Sequence, residues 1–154
     1  MSFHVIWCGK VAICISHRVA FSAYRRLLAH QDPGAPSGVA FLSEHQDLWV
    51  SAIALHELEF GLRLLPLGQR RDRLRATLSE FITGYEDRVL PLERTGAEWA
   101  AHFRAQAYRA GRVLDLGDAL IAGTAKARDL ALATRNVADF GNLDLDVVNP
   151  WETP

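Results

Sequence analysis

LDLGDALIAGTAKARDLALATRNVADFGNLDLDVVNPWE, from Leu114 to Glu152, decides the fold of this chain. LGDALIAGTA reads as an apolar helix with Asp118 in its first turn, and Asp115 just ahead has the side chain of an N-cap. LALAT follows as a short buried strand ending at Thr134, with Arg135 and Asn136 next and Asp139 just beyond. LDVVN, from Leu145 to Asn149, is a last strand. Carboxylates thus fall where strands end and helices begin, which is where parallel α/β folds bind their ligands.

Upstream the alternation continues. LWVS is a brief strand leading into the helix AIALHELEFGLRLL, which stops at Pro66 and carries Glu57 one to two turns in. An amphipathic helix comes next, with Leu74, Leu78, Phe81, Ile82 and Tyr85 on one face and Arg70, Arg71, Arg73 and Arg75 at its start. VLPL (Val89 to Leu92) reads as a buried strand. Thr95 and Glu98 have the spacing of a T-x-x-E capping box, before a helix in which Trp99, Phe103, Ala107 and Ala110 share a face. Gly111 is placed to end that helix in a left-handed cap. Near the N-terminus, VAICIS (Val11 to Ser16) reads as a buried strand, SAYRRLLA as helical, QDPGAPSG (Gln31 to Gly38) as a loop and GVAFLSEH as a short helix. Short apolar strands alternating with helices predict one α/β domain over residues 1–154, a parallel sheet sandwiched between helices.

Composition narrows the classes. The chain has 154 residues, 49% apolar and 23% charged, with a formal net charge of −1, so no bulk charge marks a nucleic-acid partner. Its two cysteines, Cys8 and Cys14, lack the spacing of a zinc site and read as reduced, buried side chains. The apolar start is interrupted by Lys10, His17 and Arg18, with no basic leader before it and no cleavage pattern after it. It reads as neither signal peptide nor membrane span, and a cytoplasmic protein is expected. There is no G-x-G-x-x-G, Walker loop or nucleophile elbow, which argues against nucleotide binding and serine hydrolysis.

Glu57, Asp118 and Asp139 are the candidate site. Oxygen-rich clusters suit Mg²⁺ or Mn²⁺, which must be held while water attacks a phosphodiester, and Asn136 and Thr134 offer neutral oxygens. Each has a plainer reading: an Asp in a first helical turn is favoured by the helix dipole, Glu57 suits a solvated face and Asp139 a turn. His56 beside Glu57 points about 100° away on a helix, so packing or solvent is its expected role. The arginine cluster, with Arg25 and Arg26, could meet phosphates but is more simply a solvated face. Trp49, Trp99 and Trp151 read as packing aromatics.

Four ordered motifs carry a resemblance over roughly Gly38 to Glu152. SAIALHELEFGLRLLP is similar to the S-A-I-T-x-x-E-L-x-x-G element of PIN-domain toxins of the VapC/FitB type, and LGDALIAGTA to their x-x-D-A-x-I-A-x-T-A element. LATRNVADF resembles T-R-N-x-x-D-F, and VVNPW their C-terminal ending. The resemblance implies a PIN-like three-layer sandwich and a Mg²⁺- (or Mn²⁺-) dependent endoribonuclease toxin. Its partners would be RNA, a second copy in a homodimer, and a small antitoxin that inserts into the active-site groove. Carried over, Glu57, Asp118 and Asp139 are the acidic catalytic and metal-holding residues, with Asn136 contributing.

The first stretch, to about Ser22, departs from that pattern. Family members open with an apolar strand ending in Asp-Thr-Asn, whose Asp is a central metal ligand. Matching VAICIS and Ser22 puts His17, Arg18 and Val19 there, and no acidic residue precedes Asp32. Histidine is a poor replacement for a carboxylate at a Mg²⁺ site. A degenerate segment or a reading-frame error is expected, and with it an alternative function: a catalytically inactive scaffold that binds antitoxin as a decoy. A receiver-like α/β module would need an acidic cluster after its first strand as well, and gains no motif. Ala54 stands where the family has a Thr able to cap the helix, a change expected to lower stability.

Overall fold

A computed structural model describes residues 11–13, 48–134 and 136–149, the first three as backbone. Its elements in chain order are β1 (Val11–Ile13), β2 (Leu48–Ser51), α1 (Ala52–Leu64), α2 (Gln69–Gly84), β3 (Val89–Leu90), α3 (Arg94–Arg109), α4 (Leu116–Ala127), β4 (Ala131–Ala133), α5 (Val137–Phe140) and β5 (Val147–Val148). The strands form one parallel sheet in the order β3-β2-β1-β4-β5. Val11 pairs with Leu48 on one side and Ala131 on the other, and Ile13 with Val50 and Ala133.

This order reverses direction between β1 and β4. Because parallel crossovers are right-handed, α1 and α2 cover one face while α3 and α4 cover the other. The predicted α/β sandwich with helices on both faces is what forms. The reversal opens the crevice at the carboxyl end of the sheet, where β1, β2 and β4 finish and α1, α4 and α5 start. Leu48, Val50, Leu132, Phe103, Ile121 and Phe140 are almost fully buried and make the centre of the core. Side chains of that size each contribute about 1.5–3 kcal/mol when removed from water.

Local signals explain where the helices begin and end. Ser51, buried at the end of β2, accepts a hydrogen bond on its Oγ from the Ile53 N–H at 3.1 Å and caps α1. Ala54 lies inside the first turn and is fully buried, so the cap expected from position 54 is supplied three residues earlier. Helix α3 closes on Gly111 at φ +70°. The Arg112 N–H donates to the Ala107 carbonyl at 2.9 Å and the Gly111 N–H to the Tyr108 carbonyl at 3.0 Å. That pairing is a Schellman motif, as the sequence predicted. Helix α4 ends the same way on Asp129, a non-glycine at φ 54°.

Several expectations are corrected. The capping box at Thr95 and Glu98 does not form: α3 starts at Arg94 with Glu93 in the N-cap position and no side-chain cap. Glu98 is instead drawn into an i,i+4 pair with Arg94, Nε to Oε1 at 2.8 Å. Ala110 is the exposed C-cap rather than a core-facing residue. The strand expected over Val89 to Leu92 stops at Leu90, ahead of exposed Pro91 and Leu92, and the last strand is only Val147–Val148. SAYRRLLA, the 31–38 loop, GVAFLSEH, Cys8, Cys14, His17, Arg18, Val19, Arg25, Arg26 and Trp151 lie outside the described residues.

Candidate active site

Asp118 is the centre of the site. It occupies the first turn of α4 and is only 8% exposed, one of the few charged or polar residues buried among those described. Its carboxyl is raised from the ordinary 3.8 to about 6, first by burial and then by the charges of Asp115, Asp139 and Glu57. Every one of these influences raises it, and the three neighbours among them are all carboxylates. A buried carboxylate under the charge of three more is costly to fold and unsuited to a purely structural role.

The neighbours arrive from separate elements. Glu57 comes from the second turn of α1, its side chain 17% exposed, and leans on the α4 N-terminus: its Oε1 lies 3.3 Å from where a Cβ on Gly117 would sit. Asp115 caps α4, accepting the Gly117 N–H on Oδ1 at 2.8 Å, and that same Oδ1 is 3.3 Å from the Gly117 Cβ position. The absence of a side chain at Gly117 therefore lets carboxylates from two elements close on one point. Asp139 lies in the short helix α5 and is exposed. Asn136 donates from Nδ2 to Asp139 Oδ2, while its own N–H donates to Oγ1 of fully buried Thr134 at 3.1 Å. Thr134 thus anchors the turn, and Asn136 aims the Asp139 carboxylate.

The structure brings Glu57, Asp118 and Asp139 to one end of the sheet, as the sequence spacing predicted. Among the described residues no three His, Cys, Asp or Glu side chains stand close enough to hold one metal ion. The donor set is carboxylate oxygen with one neutral amide, the chemistry of a hard divalent cation.

Two residues carry more than sequence reading gave them. Asp115, read there only as a cap, is the largest charge influence on Asp118, and the i,i+3 spacing that puts both on one side of the helix start was the available signal. His56 is solvent-exposed, as expected, yet its Nδ1 also reaches Glu57 Oε1 at 3.3 Å. Trp49 and Trp99 pack against the core, with the Lys126 ammonium 5.3 Å from the Trp99 ring centroid. Arg70, Arg73 and Arg75 are exposed on α2. No helix among the described residues is long and apolar enough to cross a membrane.

Comparison with known proteins fits this geometry. Residues 11–144 match the PIN domain family. The chain is 38% identical over 108 residues to VapC ribonuclease Y4jK of Sinorhizobium fredii, covering 70% of this chain and 77% of that protein. It is 35% identical over 107 residues to toxin FitB of Neisseria gonorrhoeae, covering 69% and 77%. The crystal structure of FitAcB from Neisseria gonorrhoeae superimposes with a TM-score of 0.75 at 27% identity, over 93% of this chain and 99% of that one. DNA-bound VapBC from Salmonella typhimurium, at 21% identity and a TM-score of 0.70, covers 92% and 98% and shares the fold. Motifs, sheet order and similarity agree: this chain belongs to the PIN-domain family, among its toxins of the VapC/FitB type.

Proposed function

We propose that the protein is the ribonuclease toxin of a toxin–antitoxin module, hydrolysing RNA phosphodiesters with Mg²⁺ or Mn²⁺ held by Asp118, Glu57, Asp139 and Asn136. The observation that carries this reading is Asp118, buried and with its carboxyl raised by burial and by the charges of Asp115, Asp139 and Glu57. The ion would supply the Lewis acidity and a nucleophilic water at neutral pH. The chain's own residues supply the rest. The buried wall around Asp118 excludes water and keeps its carboxylate poorly solvated, so it is ready to bind a cation. Asn136 fixes the direction of Asp139, and Gly117 leaves room for Glu57.

The relatives named as VapC ribonuclease and toxin FitB, and the structural neighbour FitAcB, support a ribonuclease toxin with a partner antitoxin. Exposed apolar side chains at the end of α1 and just beyond it (Leu64 and Leu67) and near the start of α4 (Val113 and Leu116) supply surface for that partner and for a homodimer. The test is cleavage of RNA by purified protein with and without EDTA, beside Asp118→Asn. Cleavage lost in both supports the reading; undiminished cleavage by Asp118→Asn overturns it.

A second reading rests on its own observation: no three described side chains converge on one ion, and the sequence has no acidic residue before Asp32. On that reading the protein is an inactive PIN scaffold that sequesters antitoxin. It expects tight antitoxin binding without RNA cleavage or growth arrest. Growth arrest that depends on Asp118 excludes it.

A further inference from the structure

Beside Glu57, helix α1 presents two aromatic rings to solvent. The His56 side chain is 70% exposed and Phe60 44% exposed, and they lie one turn apart on the same side of the helix. Their planes are parallel to within 3°, with centroids 6.2 Å apart. A planar group laid against one ring is therefore aligned with the other. His56 is also tied to the site, since its Nδ1 lies 3.3 Å from Glu57 Oε1. That contact holds the imidazole at the edge of the carboxylate cluster.

We propose that His56 and Phe60 form a stacking shelf for a nucleobase of single-stranded RNA, and that this shelf sets which phosphodiester is presented to the carboxylates. The inference rests on the ribonuclease reading and deepens it. A flat, partly apolar surface next to acidic groups suits a base better than a phosphate, because the carboxylates repel the phosphate and leave the π-face as the favourable contact. Every base has such a face, so the shelf selects for unstacked RNA rather than for a base identity. Duplex RNA keeps its bases stacked on one another and gains nothing from it. Phe60 supplies the apolar area, while His56, in contact with Glu57, adds a second ring parallel to it beside the site.

The test uses the full chain with Phe60→Ala, Phe60→Tyr and His56→Ala variants, which alter exposed positions. Two quantities are read: steady-state cleavage of a single-stranded oligoribonucleotide, and fluorescence quenching of a 2-aminopurine placed in it. Rapid mixing lets the quenching report binding before cleavage. The expected result for Phe60→Ala is a KM about ten-fold higher with kcat little changed and the quenching lost. Phe60→Tyr restores both, and His56→Ala shows the same direction with smaller size. Wild-type KM and quenching in Phe60→Ala overturn the shelf while leaving the ribonuclease reading intact. If Phe60→Ala converts a dimer to a monomer at unchanged RNA affinity, the rings belong to contact with a second copy, and the shelf is again overturned. A wild-type protein that neither binds nor cuts RNA overturns the ribonuclease reading and the shelf with it.

Discussion

Gly123 faces the backbone of Gly96 so closely that a Cβ built on it would lie 2.2 Å from the Gly96 carbonyl oxygen and 2.6 Å from the Ala100 nitrogen. Both obstacles are backbone, so no rotamer change relieves them. The contact joins α3 to α4, the most extensive helix–helix packing among the described residues, and α4 carries Asp118. Gly123→Ala must push the helices apart and is expected to cost about 3 kcal/mol or more. Gly96→Ala meets the Thr124 Cα at 3.3 Å, and about 1 kcal/mol is expected there. Urea unfolding of the two variants gives the comparison; equal midpoints would refute the close-packing account.

Asp118 makes the metal-free protein pH-sensitive in a definite direction. Its folded pKa of about 6 lies above the ordinary 3.8, so folding favours the protonated acid. The stability this gives is fully present below about pH 4 and is lost as the pH rises through 6, a change of about 3 kcal/mol for this group. In EDTA, Asp118→Asn should therefore be more stable than wild type at pH 7 and nearly equal to it at pH 4. The same substitution should lower RNA cleavage by about 100-fold or more, since it weakens the hold on the ion. Thermal unfolding in EDTA at both pH values, beside a cleavage assay, separates the two effects. A variant less stable at pH 7 would show that other contacts stabilise the ionised Asp118.

Much of this was legible in the chain because local chemistry and tertiary need coincide. Asp115 caps α4 and Gly111 terminates α3, while the cap of α1 was looked for at position 54 and is supplied by Ser51. Each is set by a backbone requirement within a few residues. Where two local solutions compete, sequence misleads. Thr95 and Glu98 spell a capping box, but Glu98 pairs with Arg94 and the helix starts a residue before Thr95. The site was only half legible. Carboxylates at strand–helix junctions can be counted from sequence, but the pressure of Asp115 on Asp118, and the meeting of Glu57 with Gly117 across two elements, depend on helix packing.

Asp115 has two roles that a pair of substitutions can divide. Asp115→Asn keeps an oxygen for the Gly117 N–H and removes a charge beside Asp118; Asp115→Ala removes both. The Asn variant is expected to exceed the Ala variant in stability by about 1 kcal/mol, the usual worth of an N-cap. Both should lower the Asp118 pKa. Chemical denaturation and an NMR titration of the Asp118 carboxyl read the two quantities, and identical stabilities would remove the cap from the account.

On the proposed function, Asn136 would act on the ion through Asp139. With its amide donating to Asp139 Oδ2, the carboxylate is held in one orientation; Asn136→Ala releases it. Loss of such a supporting hydrogen bond typically lowers metal affinity by about 10–100-fold. Mn²⁺ titration followed by electron paramagnetic resonance should show that drop with the fold unchanged. Unaltered affinity would place Asp139 outside the metal's ligands.

On the family pattern, the metal ligand that this sequence lacks would follow β1. β1 lies between β2 and β4, so the chain leaves Ile13 at the same edge that carries Asp118 and Glu57. No acidic residue follows before Asp32, and the family pattern sets His17 at its aspartate. A hard cation held by Glu57, Asp118 and Asp139 alone should bind weakly, because each carboxylate removed from such a site takes away both charge and coordination. Aspartate placed in turn at positions 14–17 is expected to raise Mn²⁺ affinity at least ten-fold at one of them, and to raise RNA cleavage at the same position. Affinity raised without cleavage would mean that the ligand is restored but the substrate path is not, which favours the inactive scaffold. No gain at any position would mean that the fourth oxygen comes from elsewhere, and Asp115, already beside Asp118, is then the residue to substitute next.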